Sequence, residues 1–230
     1  IKAHIDLADE PMTIRSQELW RLHAQAMGQG LGIDRDALLL EPLGYDGNGF
    51  TGVNNPRGLV ATRLSGTFQL ITIPLAIRKA VSQALEAVGV ESEGLRYSLR
   101  GTLAACMNDT MSSQRILVID IGGCCTDMAI LEDDALVSTQ TVPWGGMVLV
   151  EAIAKAQRLT MDQALSASLQ GWSSPTPAVQ RLVEQQLSVL NMPVQTLLKD
   201  APLPSVVMVT GRTALMDGLV EWVERTTEIP

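Results

Sequence analysis

Rings and imidazoles are what this chain has least of: among 230 residues there are two phenylalanines, two tyrosines, four tryptophans and two histidines. An interior with so few aromatics has to be built from aliphatic side chains, and apolar residues supply 46% of the sequence, enough to fill a core and too many for a disordered chain. The only histidines, His4 and His23, fall near the start, and no Gly-x-Ser-x-Gly elbow occurs, so hydrolysis by a Ser–His or Cys–His pair is excluded. His23 itself reads as a packed or half-exposed residue on a helical face. Cysteine is scarce as well. Three residues, with Cys124 and Cys125 adjacent, give neither a secreted disulfide framework nor paired zinc-knuckle spacing, and place the chain in a reducing compartment, the cytoplasm. Both neighbours read as partly buried packing residues. Positive charge is outweighed, with 17 Lys plus Arg against 25 Asp plus Glu and a net charge of −8, so a phosphate backbone is repelled and no nucleic-acid partner is expected. No apolar run is long enough to span a bilayer: the charge-free stretch 135–150 is interrupted by Ser138, Gln140, Pro143, Gly145 and Gly146. No Walker A spacing precedes any lysine. The chain opens on Ile1 without a leader-like segment, which is expected of a fragment.

What is present alternates between helical and strand periodicity. Residues 15–27 carry Leu19, Leu22, His23 and Ala26 on one helical face, ended by Gly28, Gly30 and Gly32. A strand fits 37–40. The glycine-rich, asparagine-rich stretch Asp46 to Gly58 reads as an extended loop or hairpin connection, and its formal match to a dinucleotide fingerprint carries no weight because Pro56 follows where a helix should begin. A β-branched run, 67–73, leads through Pro74 into a helix ending at Gly89, with Ile77, Ala80, Val81, Ala84, Leu85 and Val88 on one face. The runs 116–121 and 128–131 predict two buried strands in a tight hairpin, with a third strand at 136–142. Helices are expected from Met147 to about Ala156 and from Ala178 to Leu190. A closing unit combines strand 206–210, a turn at Gly211 and a helix facing Leu215, Leu219, Trp222 and Val223 inward. The class is α/β.

The densest local signal is Asp120-Ile121-Gly122-Gly123-Cys124-Cys125-Thr126-Asp127. Glycines let backbone N–H groups close around an anion, and an aspartate at a strand end can hold magnesium through water, which is the chemistry of a phosphate loop. A glycine hairpin that only turns the chain has the same composition, and residues alone leave both readings open.

The order of these motifs resembles the actin, sugar-kinase and heat-shock-chaperone superfamily, the Asp120 hairpin standing where its second phosphate loop would be and 207–215 where its adenosine loop would be. Within it the chain most resembles the bacterial cell-division actin family FtsA, through Asp46-Gly47, Asn55-Pro56-Arg57-Gly58 and Arg63-Leu64. The resemblance implies an actin-like (ribonuclease-H-like) core with an FtsA-type α/β subdomain at 1–111. The second half of the core would fill 112–230, with a shortened accessory helical part at about 147–204, and the lobe of the first phosphate loop would be missing, since Asp6-Leu7-Ala8-Asp9 lacks its glycine. It implies a cytoskeletal adaptor that forms homo-oligomers or filaments and recruits the tubulin-like FtsZ. Membrane contact would be peripheral at most, through a tail outside this sequence. ATP with Mg is the implied cofactor, held by Asp120 as the catalytic residue and by Gly122, Gly123, Cys124, Cys125, Thr126, Asp127, Gly145, Gly146, Gly211, Arg212 and Thr213. Assembly would use Asp46, Gly47, Asn55, Pro56, Arg57 and Gly58. Departures from the family pattern point to a degenerate site: Cys124 and Cys125 replace a glycine and a threonine, with a strained left-handed backbone expected at 124, Arg212 replaces a glycine, and Val150, Ala152, Leu165 and Ser168 replace polar residues. An active FtsA-type ATPase and a PilM-like pilus-assembly adaptor are the alternatives.

Overall fold

Two separate clusters of buried apolar side chains organise the chain, one in each of two compact units, Ile1–Ala105 and Cys106–Pro230. The computed structural model describes residues 1–107, 114–199 and 202–229, so the domain boundary expected at 111–112 lies outside the described residues.

The first unit runs β1 (Lys2–Asp6), β2 (Met12–Thr13), α1 (Ser16–Gly30), β3 (Arg35–Gly47), β4 (Phe50–Val53), β5 (Val60–Ala61), β6 (Arg63–Pro74), α2 (Leu75–Ala87) and α3 (Ser98–Cys106). Its main sheet is antiparallel in the order β1-β6-β3-β4, and β2 pairs with β5 in a separate two-stranded ribbon. Leu19, Leu22 and Ala26 of α1 pack on Ala3, Ile5, Leu64 and Phe68, as the helical spacing predicts. The strand expected at 37–40 is far longer, because Pro42 sits at a register shift between Pro42 and Gly44, where a bulge tolerates its missing N–H. Asp46 to Gly58 is therefore not loop throughout. β3 continues to Gly47 and turns back as β4, with Asp46 Oδ1 accepting from Gly52 N at 2.8 Å. Glu41 of β3 is buried and forms an ion pair with Arg100 of α3. α2 ends as predicted, Gly89 taking φ +71° and donating to Glu86 O, yet none of its residues is buried and Ile77 and Val88 are exposed.

The second unit runs β7 (Ile116–Ile121), β8 (Thr126–Glu132), β9 (Ala135–Val142), α4 (Gly146–Gln157), α5 (Met161–Leu169), α6 (Pro177–Leu187), α7 (Asn191–Leu198), β10 (Val206–Thr210) and α8 (Leu219–Thr227). Its sheet has the order β10-β7-β8-β9, with β10 parallel to β7 and the other pairs antiparallel. The hairpin predicted for the two apolar runs is thus present, with the third run beside it. Every residue from Ile116 to Ile119 is at most 1% exposed, the signature of a strand covered on both faces. Leu117, Ile119 and Ile121 pack against Leu149, Ile153, Val183 and Trp222. One inward assignment is corrected: Leu215 is exposed, because Arg212–Leu215 is a single 3₁₀ turn and the helix begins only after Gly218, so Met216 takes the buried place beside Leu219, Trp222 and Val223. The helix expected to reach Leu190 ends at Leu187 and passes through a 3₁₀ turn into α7.

Candidate functional site

β7 delivers Asp120 to the end of the sheet, and antiparallel pairing sets Asp127 of β8 directly opposite it. The loop between them is closed by Gly122 N donating to Cys125 O at 3.0 Å. Its backbone is ordinary: among the described residues the non-glycine positions with positive φ are Asp133, Asp134, Arg158 and Glu228, so the left-handed strain expected at Cys124 is absent. Nor are the two cysteines packing residues. Both are exposed at the tip. Burial and the nearby Asp127, Cys124 and Asp120 all push the Cys125 thiol up, which keeps it protonated rather than activated.

The loop is seated on the start of α4. Gly146 N donates to Gly122 O and Met147 N to Gly123 O, each at 2.9 Å, so two N–H groups that a helix terminus leaves open are satisfied by the hairpin's own carbonyls. Gly145 makes that seat: a Cβ there would lie 2.5 Å from the backbone carbonyl carbon and oxygen of Gly123. Gly211, at φ +88°, closes the neighbouring corner, its hypothetical Cβ meeting Ile121 O at 2.3 Å and Asp120 Oδ1 at 2.9 Å. Thr126 is fully buried and donates its hydroxyl to Trp144 O at 2.8 Å, while Asp127 Oδ1 accepts from the Thr141 hydroxyl at 2.5 Å.

A small cleft of about 90 Å³, partly open to solvent, adjoins this seat. Gly122, Gly123, Gly146, Arg212 and Thr213 of the sequence-derived set line it, whereas Asp120, Cys124, Cys125, Thr126, Asp127, Gly145 and Gly211 do not. The rest of its wall is Met147, Leu149, Val150, Leu165, Ser168, Leu169 and Met216. Val150, Leu165 and Ser168 are thereby placed at the site as the motif order implies, and Ala152 is not. Met147, Leu149, Leu169 and Met216 escape sequence reasoning. Among the described residues no group of three His, Cys, Asp or Glu is arranged to hold a metal ion.

The expected assembly residues separate into two places. Asp46 and Gly47 border a polar hollow with Lys2, His4 and Arg63. Asn55, Pro56 and Arg57 border another with Trp20, His23 and Tyr45. Pro56 is buried and Asn55, Arg57 and Gly58 are exposed. This turn is pinned to the core, with Gly58 N donating to Ile14 O, Leu59 N to Pro56 O, and Gly58 at φ +85°.

Comparison with known proteins matches residues 117–230 to the model of the cell division protein FtsA and residues 1–72 to that of the SHS2 domain inserted in FtsA. The chain belongs to the FtsA family. FtsA of Neisseria meningitidis serogroup B is 24% identical over 208 residues, covering 78% of this chain and 50% of that protein. FtsA of Escherichia coli K12 is 29% identical over 105 residues, 46% of this chain and 25% of the relative. The FtsA-family chain therefore spans half the length of the Neisseria relative and less of the other. Among solved structures, a PilM–PilN type IV pilus biogenesis complex superposes with a TM-score of 0.65 at 16% identity, over 99% of this chain and 65% of that one. MreB 5 of Spiroplasma citri bound to AMPPNP gives 0.59 at 16% identity, over 69% of this chain and 59% of its own. The fold is that of an actin-like protein. No helix among the described residues is long and apolar enough to cross a membrane.

Proposed function

We propose that this FtsA-family chain is a cytoplasmic adaptor of the division cytoskeleton that self-associates and recruits FtsZ, and that its nucleotide site is degenerate. One observation carries the second point. Three backbone donors at the seat of the hairpin are bonded inside the fold rather than turned to an anion: Gly122 N to Cys125 O, Gly146 N to Gly122 O and Met147 N to Gly123 O. The remaining features agree with it. The Thr126 hydroxyl is turned to Trp144 O, carboxylates at 120 and 127 flank the hairpin, and Arg212 is the one cationic side chain among the described residues of a mainly apolar cleft wall. A triphosphate carries several negative charges, and one guanidinium beside two facing carboxylates offsets few of them, so in this reading no hydrolytic step is assigned to Asp120.

In this reading residues 1–111 form the assembly module, with Asn55, Arg57 and Gly58 on its exposed turn, and 112–230 the half-core that carries the shortened helical part at 147–204. The experiment has two arms. Calorimetric titration with Mg-ATP gives no binding tighter than about millimolar, roughly −4 kcal/mol, and micromolar binding restores the ATPase reading. Co-sedimentation with FtsZ polymers retains the chain, and Arg57→Glu, which reverses charge without touching buried Pro56, reduces concentration-dependent self-sedimentation at an unchanged circular dichroism spectrum. The likeness to the PilM–PilN complex supports a pilus-assembly adaptor as a second reading, though at 16% identity it reaches only the fold. Failure to sediment with FtsZ is the result that turns attention to it.

A further inference from the structure

The tip of the β7–β8 hairpin carries two thiols in consecutive positions, Cys124 and Cys125, both exposed, while the third cysteine, Cys106 of α3, is exposed and alone. We propose that Cys124 and Cys125 form a vicinal-dithiol modification site whose substrate is a low-molecular-weight disulfide, and that closing the pair loosens the seat of the hairpin on α4.

The chemistry needs only the two side chains and that oxidant. The Cys124 thiolate attacks one sulfur of the small disulfide, forming a mixed disulfide and releasing the first small thiol, which takes up the proton Cys124 lost. The Cys125 thiolate then attacks Cys124 Sγ, forming the bond between the neighbours and releasing the second small thiol with the other proton. Two protein thiols are oxidised and one small disulfide is reduced to two thiols. Burial and the nearby Asp127 and Asp120 disfavour the Cys125 thiolate, so Cys125 serves as the resolving thiol.

Neighbouring Cα atoms lie about 3.8 Å apart across a peptide, below the roughly 4.4–6.8 Å of unstrained disulfides, so the ring forms only where the backbone can twist. This tip meets that requirement. Neither cysteine is packed, two glycines precede them, and Gly122 N donating to Cys125 O is the bond that closes the loop. Twisting the 124–125 unit moves the Cys125 carbonyl off Gly122 N, and the displacement is passed to the carbonyls of Gly122 and Gly123, which hold the first N–H groups of α4. A strained, exposed disulfide is also readily reduced, which makes the modification reversible.

The test equilibrates the full 230-residue chain with oxidised glutathione, quenches with acid, and maps peptides by mass, with amide hydrogen exchange on the same samples. The expected peptide spanning Cys124 and Cys125 is lighter by two hydrogens and carries no glutathione, while Cys106 carries one glutathione as an internal control of the oxidant. Cys124→Ser and Cys125→Ser each leave one thiol at the tip and so end as a persistent glutathione adduct. In the oxidised wild-type chain the amides of Gly146 and Met147 exchange at least several-fold faster than in the reduced chain, and dithiothreitol reverses both changes. Persistent adducts on the wild-type tip, disulfide-linked dimers through it, or free thiols at 124 and 125 beside a modified Cys106 overturn the site. A closed ring with unchanged exchange at Gly146 and Met147 overturns the coupling to α4.

Discussion

His23 and Tyr45 show how little of this protein's polar chemistry needs to be catalytic. His23 Nε2 lies 2.7 Å from the Tyr45 hydroxyl, and both rings stand against Phe68 in edge-to-face contact, with centroids 5.3 and 5.8 Å away. Burial lowers the His23 pKa from its usual 6.5, and the Arg57 charge lowers it further; burial raises the Tyr45 phenol. The imidazole is therefore neutral in the folded chain at a pH where the unfolded chain has begun to take up a proton. Because the folded value is the lower one, the stabilisation is complete above about 6.5 and is lost as the pH falls from there through the folded value. Thermal unfolding followed between pH 8 and pH 5 is expected to show the wild-type midpoint falling more steeply on the acid side than that of His23→Gln. Parallel profiles would mean that His23 titrates alike in both states.

At the scale of elements, the strands of the second unit were legible because continuous apolar runs such as Ile116–Ile121 have no other stable placement, and the helices because their apolar positions recur at helical spacing. Other elements were hidden for identifiable reasons. β1 is five residues long with only Ala3 and Ile5 facing the core, and β3 runs through Pro42 and Gly44, which read as a break unless the bulge is known. α5 had a usable signal that went unread, the capping box in which Thr160 and Gln163 bond each other's backbone. The hairpin loop was legible as a turn, but which N–H meets which carbonyl depends on α4 folding back from more than 20 residues downstream, and no local pattern encodes that. The seat itself yields a contrast between adjacent glycines. A Cβ on Gly145 would press on the backbone of Gly123 at 2.5 Å, which cannot rotate away, whereas one on Gly146 would meet the Thr213 hydroxyl at 2.4 Å, a side chain free to change rotamer. Gly145→Ala is expected to cost about 2–3 kcal/mol and Gly146→Ala less than about 1, since alanine also favours the helix it starts. Urea midpoints read by tryptophan fluorescence distinguish them, and equal losses would show that the two positions are constrained alike.

Across the whole molecule, each unit has its own buried cluster, Phe68 with Leu22 and Leu64 in one, Ile119 with Ile153 and Trp222 in the other. A cluster that closes within one unit predicts that the unit's stability is set by its own side chains. The tryptophans provide the means to see this, because Trp144 and Trp222 are 4% and 2% exposed in the second unit while Trp20 in the first is 74% exposed and changes little on unfolding. Phe68→Ala removes an aromatic ring of the first cluster that is only 1% exposed, and such truncations cost about 3–5 kcal/mol. Hydrogen exchange in β1, β3 and β6 should rise by the factor that this loss implies, with the fluorescence midpoint of the second unit within error of wild type. If the fluorescence midpoint moves with the exchange, the two units unfold as one cooperative body, and a defect in the first cluster lowers the stability of the second as well.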